Sequence, residues 1–312
     1  PWFENLGQTC SGPTINFSVT VNPSAQVNQP PDQAICHDLP SAAVAFSTLL
    51  SGGNASYTWT NSEPSIGLAA SGTGNIPAFT ALNTSAAPVT ATVTVTPWFE
   101  NGGVTCSGPA ITFNITVNPL PVPAIAGPAV TCVGTGGHLY STQTGQNNYT
   151  WNIPTQGVIT AGATSNSVTV TWNATGSHWI SVNFTDANGC TAQHPTLYTV
   201  SVQTLPNPSF SAGGTALCSG NESTYTTQSG ASSYSWSYPA AAVTLLGGGT
   251  PADDFISLRW NIPGTFTLSI NYSIGVGCTA VTPTPLSVTV NPNPTPLIAG
   301  PTDPVCGFST QN

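Results

Sequence analysis

The sequence predicts an all-β chain of tandem sandwich modules, and three observations carry that prediction. Residues 1–23, PWFENLGQTCSGPTINFSVTVNP, return nearly unchanged as residues 97–119, PWFENGGVTCSGPAITFNITVNP. Within both copies apolar residues alternate with polar ones, as Ile15, Phe17, Val19 and Val21 and as Ile111, Phe113, Ile115 and Val117. That period belongs to a strand buried on one face. Gly, Pro, Asn and Ser punctuate the remaining short apolar runs, and no stretch of helical period stands out. A closing strand that recurs at a fixed interval means an array.

Taken in order, residues 1–23 read as the C-terminal part of a preceding module. Residues 24–119 form a first kind of module, with strands expected at 34–36, 42–47, 55–60, 78–82, 88–96 and 110–117. Val89, Ala91, Val93 and Val95 alternate cleanly. Residues 120–204 and 205–291 form a second kind, matched at Cys132 with Cys218, Tyr149-Thr150-Trp151 with Tyr234-Ser235-Trp236, Trp172 with Trp260, and Cys190 with Cys278. The first kind carries the same central signature as Tyr57-Thr58-Trp59. Residues 292–312 read as the start of a following module, because Ala299-Gly300-Pro301 and Cys306 echo Ala126-Gly127-Pro128 and Cys132.

Each module spans ~85–95 residues with about seven short strands, the size and rhythm of an immunoglobulin-like sandwich. The Tyr-x-Trp spacing puts both rings on one face of a strand, and Trp59, Trp151 and Trp236 are expected in three separate cores. Between modules, proline at alternate positions in Asn118-Pro119-Leu120-Pro121-Val122-Pro123, Leu205-Pro206-Asn207-Pro208 and Asn291-Pro292-Asn293-Pro294-Thr295-Pro296 keeps the chain extended and removes backbone donors. Stiff couplings of this kind predict an elongated array. With no initiator Met and a start inside a repeat, the chain reads as a window on a longer protein. Residues 1–23 alone cannot bury enough surface to stay ordered. They are expected to need the rest of their own chain or a neighbouring subunit, and finding them exposed and without contacts would count against a fibre.

Residues 58–97 and the segments AGPAVTCVGTGG, NYTWNIP and VTVTWNATGSHWISVNFTDANGCTA resemble PKD-like repeats of very large secreted proteins of Bacteroidota, among them cell-surface adhesins associated with gliding motility. The resemblance covers essentially the whole chain. It implies an Ig-like fold, secretion and a structural or adhesive role. A WDFGDG-type motif is missing, and Trp98-Phe99-Glu100 is not a feature expected of such repeats.

Composition narrows the function classes. Charged residues are 4% of the chain, with Lys+Arg 1 against Asp+Glu 10 and a formal net charge of −9. A nucleic-acid partner needs phosphate-neutralising cations, so it is excluded, and an anionic membrane surface fails on the same ground. No apolar run reaches the ~20 residues of a membrane span. Catalysis needs titratable groups in reach of one another, and His37, His138, His178 and His194 share no pattern with the scattered acids. No catalytic residue, metal site or cofactor is assigned. Asp186-Ala187-Asn188-Gly189 could offer calcium oxygens, but Asn-Gly before Cys190 is first a hairpin signal.

Nine Asn-x-Ser/Thr sequons occur, at 16, 54, 83, 114, 148, 173, 183, 221 and 271. Asn183 and Asn271 are in register between modules and are expected to face outward, which makes them the better glycan candidates. Trp98 and Phe99, with Trp2 and Phe3 in the partial copy, are adjacent aromatics at an expected turn. Because neighbours on a strand face opposite ways, one ring of each pair is a candidate contact anchor.

Eight cysteines fit an oxidising, extracellular setting. Pairing within modules gives Cys36–Cys106, Cys132–Cys190 and Cys218–Cys278, leaving Cys10 and Cys306 to partners elsewhere. Pairing across linkers gives Cys10–Cys36, Cys106–Cys132, Cys190–Cys218 and Cys278–Cys306. The strand after Cys106 carries the chain ~33 Å away, against the ~6 Å a disulfide allows, so the first framework is expected.

The leading functional expectation is a non-catalytic structural segment of an extracellular filament or adhesin stalk. Its partners would be further modules of the same chain or identical subunits in a fibre, and glycans. The alternative is a set of accessory or carbohydrate-binding modules of a giant secreted enzyme. Exposed sheet edges are usually guarded by charge, and this chain has almost none. Its edges are therefore expected either to pair with neighbours or to carry sugars.

Overall fold

The computed structural model describes residues 1–297, which form strands joined by turns, one 3-10 turn (Pro64–Ile66) and no α-helix among the described residues. The fold is all-β, with tandem Ig-like sandwiches. By compactness the chain divides into one unit of residues 1–123, 143–149 and 183–195, and a second unit of residues 124–142, 150–182 and 196 onward.

The first unit begins with the hairpin β1 (Trp2–Asn5) and β2 (Gln8–Ser11). Its main sheet is built from β3 (Gln33–Cys36), β4 (Asn54–Asn61), β5 (Ser71–Thr73), β6 (Val89–Asn101), β7 (Val104–Ser107) and β8 (Ile111–Asn118), in the order β3-β8-β6-β4-β5 with β7 on β6. Strand β3 runs parallel to β8, so Cys36 lies level with Asn118. Tyr57, Trp59, Ala91, Val93, Val95, Phe113, Ile115 and Val117 project from this sheet into one core.

The opposite layer departs from expectation. Segments 42–47 and 78–82 were expected as strands, yet they form only the isolated bridges Val44↔Ile76 and Pro40↔Thr80. Side chains interrupt the ladder, although Val44 and Ile76 still exchange backbone bonds at 2.9 and 3.0 Å. Phe46 N–H donates to Asn75 Oδ1 at 2.9 Å, Phe79 N–H to Ser41 Oγ at 2.9 Å and Ala42 N–H to Gln33 Oε1 at 3.1 Å. Val44, Phe46, Ile76 and Ala81 still enter the core.

The expected strand over Ile15–Val21 is also absent. Its four apolar residues are 73–85% exposed, whereas Phe113, Ile115 and Val117 in β8 are buried. Strand β8 is held between β3 and β6, and residues 14–21 have no such neighbours among the described residues. Residues 1–21 are exposed throughout. The segment is not without contacts, because Asn22 Nδ2 donates to the Asn101 carbonyl at 3.0 Å.

The second sandwich comprises β9 (Val130–Cys132), β10 (His138–Ser141), β11 (Asn147–Asn152), β12 (Gly157–Ala161), β13 (Ser167–Trp172), β14 (Gly176–Thr185) and β15 (Thr196–Gln203). Its sheets are ordered β10-β13-β12 and β11-β14-β15-β9. The third repeats the plan with β16 (Ala216–Cys218), β17 (Glu222–Thr226), β18 (Ser233–Ser237), β19 (Val243–Gly248), β20 (Phe255–Trp260), β21 (Gly264–Ile274), β22 (Cys278–Thr279) and β23 (Thr284–Asn291), ordered β17-β20-β19 and β16-β23-β21-β18 with β22 on β21.

Trp59 and Trp151 are buried in separate cores as expected, but Trp236 is only partly buried at the edge of the third. The fully buried aromatics there are Trp260 and Tyr225, matched by Trp172 and Tyr140 in the second sandwich. Trp172 Nε1–H donates to Tyr140 Oη at 3.2 Å, and Tyr140 Oη–H donates to the Pro128 carbonyl at 3.2 Å. Trp260, Tyr225 and the Gly214 carbonyl repeat this chain at 3.1 and 2.8 Å. Each relay satisfies two polar atoms that would otherwise be costly to bury. The beginning of a module expected at 292–312, with Cys306, lies largely outside the described residues.

Candidate functional site

Two positions in the sandwich carry cysteine, and each is set by strand geometry. The first is the end of the opening strand. Cys36, Cys132 and Cys218 lie level with Asn118, Gln203 and Asn291 on the parallel closing strand. In each case the next residue's N–H (His37, Val133, Ser219) donates to that partner's carbonyl at 2.9 Å.

The second position is the turn after the long strand. Asp186 Oδ1 accepts the N–H groups of Asn188 at 2.9 Å and Cys190 at 2.8 Å. Gly189, at φ 81°, supplies the left-handed residue that closes the turn. Asp186 thus serves as the turn's internal acceptor. Cys278 follows the corresponding turn and pairs with Ile274. In the first kind of repeat the position is a longer hairpin, where Cys106 lies opposite Phe99 and Cys10 opposite Phe3.

The disulfides join one position to the other. Cys36 bonds to Cys190 with Cα atoms 5.6 Å apart, and Cys132 to Cys278 at 5.5 Å. This corrects the expected pairs Cys36–Cys106, Cys132–Cys190 and Cys218–Cys278, and none of the alternative cross-linker pairs forms among the described residues either. The reason lies in strand direction. Cys36 is level with the last residue of β8, whereas Cys106 precedes that strand's first residue. Eight residues of β8 at ~3.3 Å each separate the two ends by about 26 Å. Four of the six cysteines expected in disulfides are therefore bonded, to other partners, while Cys106 and Cys218 are free, as is Cys10.

Around the Cys36–Cys190 bridge a cavity of about 350 Å³ is lined by His37, Asp38, Leu120, Gly189, Thr191 and Gln193. His37 Nδ1 accepts the Asn83 N–H at 2.9 Å, and its Nε2 lies 3.5 Å from the Asp38 carboxylate. Two other histidines are equally engaged. His178 stacks on Trp172 with ring centroids 5.4 Å apart, and its Nε2 lies 2.9 Å from the Ala174 carbonyl. His138 Nε2 lies 3.2 Å from Thr135 Oγ1, and burial lowers its pKa.

The aromatic pair sits on a strand, where a turn was expected, because β6 continues through Asn101. Phe99 is buried, and Trp98 is 36% exposed with its Nε1–H donated to Thr58 Oγ1 at 3.2 Å. In β1 both Trp2 and Phe3 are exposed. The sequons in register turn out to be clamps. Asn183 Nδ2 donates to the Ala192 carbonyl at 3.0 Å while its Oδ1 accepts the Phe184 N–H at 2.8 Å. Asn271 does the same with Ala280 and Tyr272 at 3.1 and 2.8 Å. The nitrogen that would carry a sugar thus donates a hydrogen bond in both, and both residues are half-buried on strands whose flanking residues are buried.

Residues 118–200 match a family model described as the PKD-like domain. This stretch resembles a PKD-like domain. No curated protein matches the chain. Among solved structures, the human desmocollin-1 ectodomain is 10% identical over 86% of this chain and 61% of its own length, with a TM-score of 0.32. Domains 1–6 of the surface layer protein SbsC are 12% identical over 89% and 41%, at 0.27. A C-terminal 282-residue fragment of intimin, in complex with the intimin-binding domain of its translocated receptor, is 16% identical over 55% and 65%, at 0.35. The chain thus spans less than two thirds of each, and scores this low carry no functional argument. The functional reading rests on the geometry of the three sandwiches and their bridges.

Proposed function

We propose that this chain is a non-catalytic, load-bearing segment of an extracellular filament or adhesin stalk, with modules at 24–119, 120–204 and 205–291. The observation that carries the reading is the interleaving of the two disulfides among the described residues. Cys132 lies within the loop closed by Cys36–Cys190, and Cys190 lies within the loop closed by Cys132–Cys278. Tension applied at the two ends crosses the first bridge, follows the stretch between Cys190 and Cys132, and leaves by the second bridge. Most of the first and third sandwiches is thereby excluded from the loaded path. Disulfides of this kind persist in oxidising, extracellular compartments. The engagement of His37, His138 and His178 in holding backbone, hydroxyl and aromatic groups further supports a structural role.

The test is to stretch single chains tethered at both ends, with and without a reductant. Reduction releases the loop of sequence separation 154, so the fully extended length is expected to grow by at least ~500 Å. Equal lengths in the two conditions would overturn the load-bearing reading.

A further inference from the structure

Cys106 is a free thiol at the position that is bonded in the other two sandwiches, and it borders an unfilled cleft. The cleft, of about 470 Å³, is lined by Thr20, Val21, Asn22, Asn101, Gly102 and Cys106, among others. Asn22 Nδ2 donates to the Asn101 carbonyl at 3.0 Å, which holds residue 22 against the β6–β7 hairpin.

The sequence repeat says what belongs there. Thr20-Val21-Asn22 is the copy of Thr116-Val117-Asn118. Asn118 is the residue level with Cys36, and Cys36 is bonded to the turn cysteine Cys190. At the bridged junction, Leu120, Cys36 and Gly189 border one cavity, so the closing strand's exit, the opening-strand cysteine and the turn converge. Around Cys106 the copy of the closing strand's end and the hairpin are both in place. The component without a counterpart there is a cysteine at the end of an opening strand.

We infer that this cleft is the seat of an opening-strand cysteine from another sandwich repeat, bonded to Cys106. Cys218 is the complementary end. It occupies the opening-strand position, level with Asn291, and is exposed and unbonded. Its partner is the turn cysteine of another repeat. Each bond forms as two thiols lose two protons and two electrons to a disulfide oxidant, either a small-molecule disulfide or an oxidase's own, which leaves as two thiols. The repeats that supply these cysteines belong either to the same polypeptide or to a second copy of it. This inference rests on strand register and the cleft, and it stands whether or not the bridges bear load.

The experiment is peptide mapping of the protein as secreted, alkylated under denaturing conditions without reduction. Arg259 is the chain's one basic residue, so pepsin replaces trypsin. Cys106 and Cys218 are expected in linked peptides, Cys106 with a cysteine ending an opening strand and Cys218 with a turn cysteine. If reduction leaves the molecular mass unchanged, the partner is in the same polypeptide; if the mass falls by half or more, it is in another copy. Alkylated Cys106 and Cys218, or a Cys10–Cys106 bond, would overturn the inference. Finding the Cys36–Cys190 and Cys132–Cys278 peptides in the same digest separates that failure from a failure of the load-bearing reading.

Discussion

Cys36 and Cys190 are separated by 154 residues in sequence, yet their Cα atoms lie 5.6 Å apart. The bond is set by direction. A parallel opening strand delivers Cys36 to the end where β8 leaves the sandwich, and the turn after β14 returns Cys190 to it.

The tyrosine–tryptophan relay predicts a local cost. Tyr140→Phe removes the acceptor for the buried Trp172 Nε1–H and the donor to the half-buried Pro128 carbonyl. Denaturant titration is expected to show a loss of about 1–3 kcal/mol. Tyr225→Phe should cost a similar amount, and no change in either variant would mean that the relay is incidental.

Gly72 predicts overpacking. A Cβ built there would lie 2.1 Å from Trp59 Cζ2. Gly72→Ala is expected to destabilise the first sandwich by about 1–3 kcal/mol, with Trp59 fluorescence reporting the displaced ring.

The clamp residues predict stability effects without glycan effects. Asn183→Ala strands the Ala192 carbonyl and the Phe184 N–H, at a cost of about 1–3 kcal/mol. Its intact mass should change only by the substitution. A larger drop would show that the side chain carried a sugar.

His138 predicts a pH dependence. Burial lowers its pKa in the folded chain, while the unfolded chain takes up the proton near ~6.5. The unfolded state therefore binds more protons between these two values, so stability rises with pH across the window and is lost as pH falls below ~6.5. Unfolding titrations between pH 7.5 and 5 should show this slope, and His138→Gln should reduce it.

How much was legible follows from which features are local. Alternation at Val89–Val95 and Ile111–Val117 marked β6 and β8, and the matched Tyr-x-Trp signatures located the central strands. Trp172 and Trp260 stood out as repeat markers, but Tyr140 and Tyr225 did not, because their pairing depends on strands brought together only by folding. The layer holding Val44 and Ile76 was misread as strands because the backbone donors of Phe79, Phe46 and Ala42 go to the Ser41, Asn75 and Gln33 side chains and interrupt the ladder, a pattern that periodicity does not record. Disulfide partners were misassigned for a similar reason. Spacing along the chain does not reveal which end of a sandwich a cysteine reaches.

The central claim is that the sandwiches are stapled by interleaved bridges, and the most direct measurement is the mass of the linked peptides from an unreduced digest. The account predicts one species joining Cys36 to Cys190 and one joining Cys132 to Cys278, each splitting on reduction. Peptides joining Cys36 to Cys106 or Cys132 to Cys190 would contradict it.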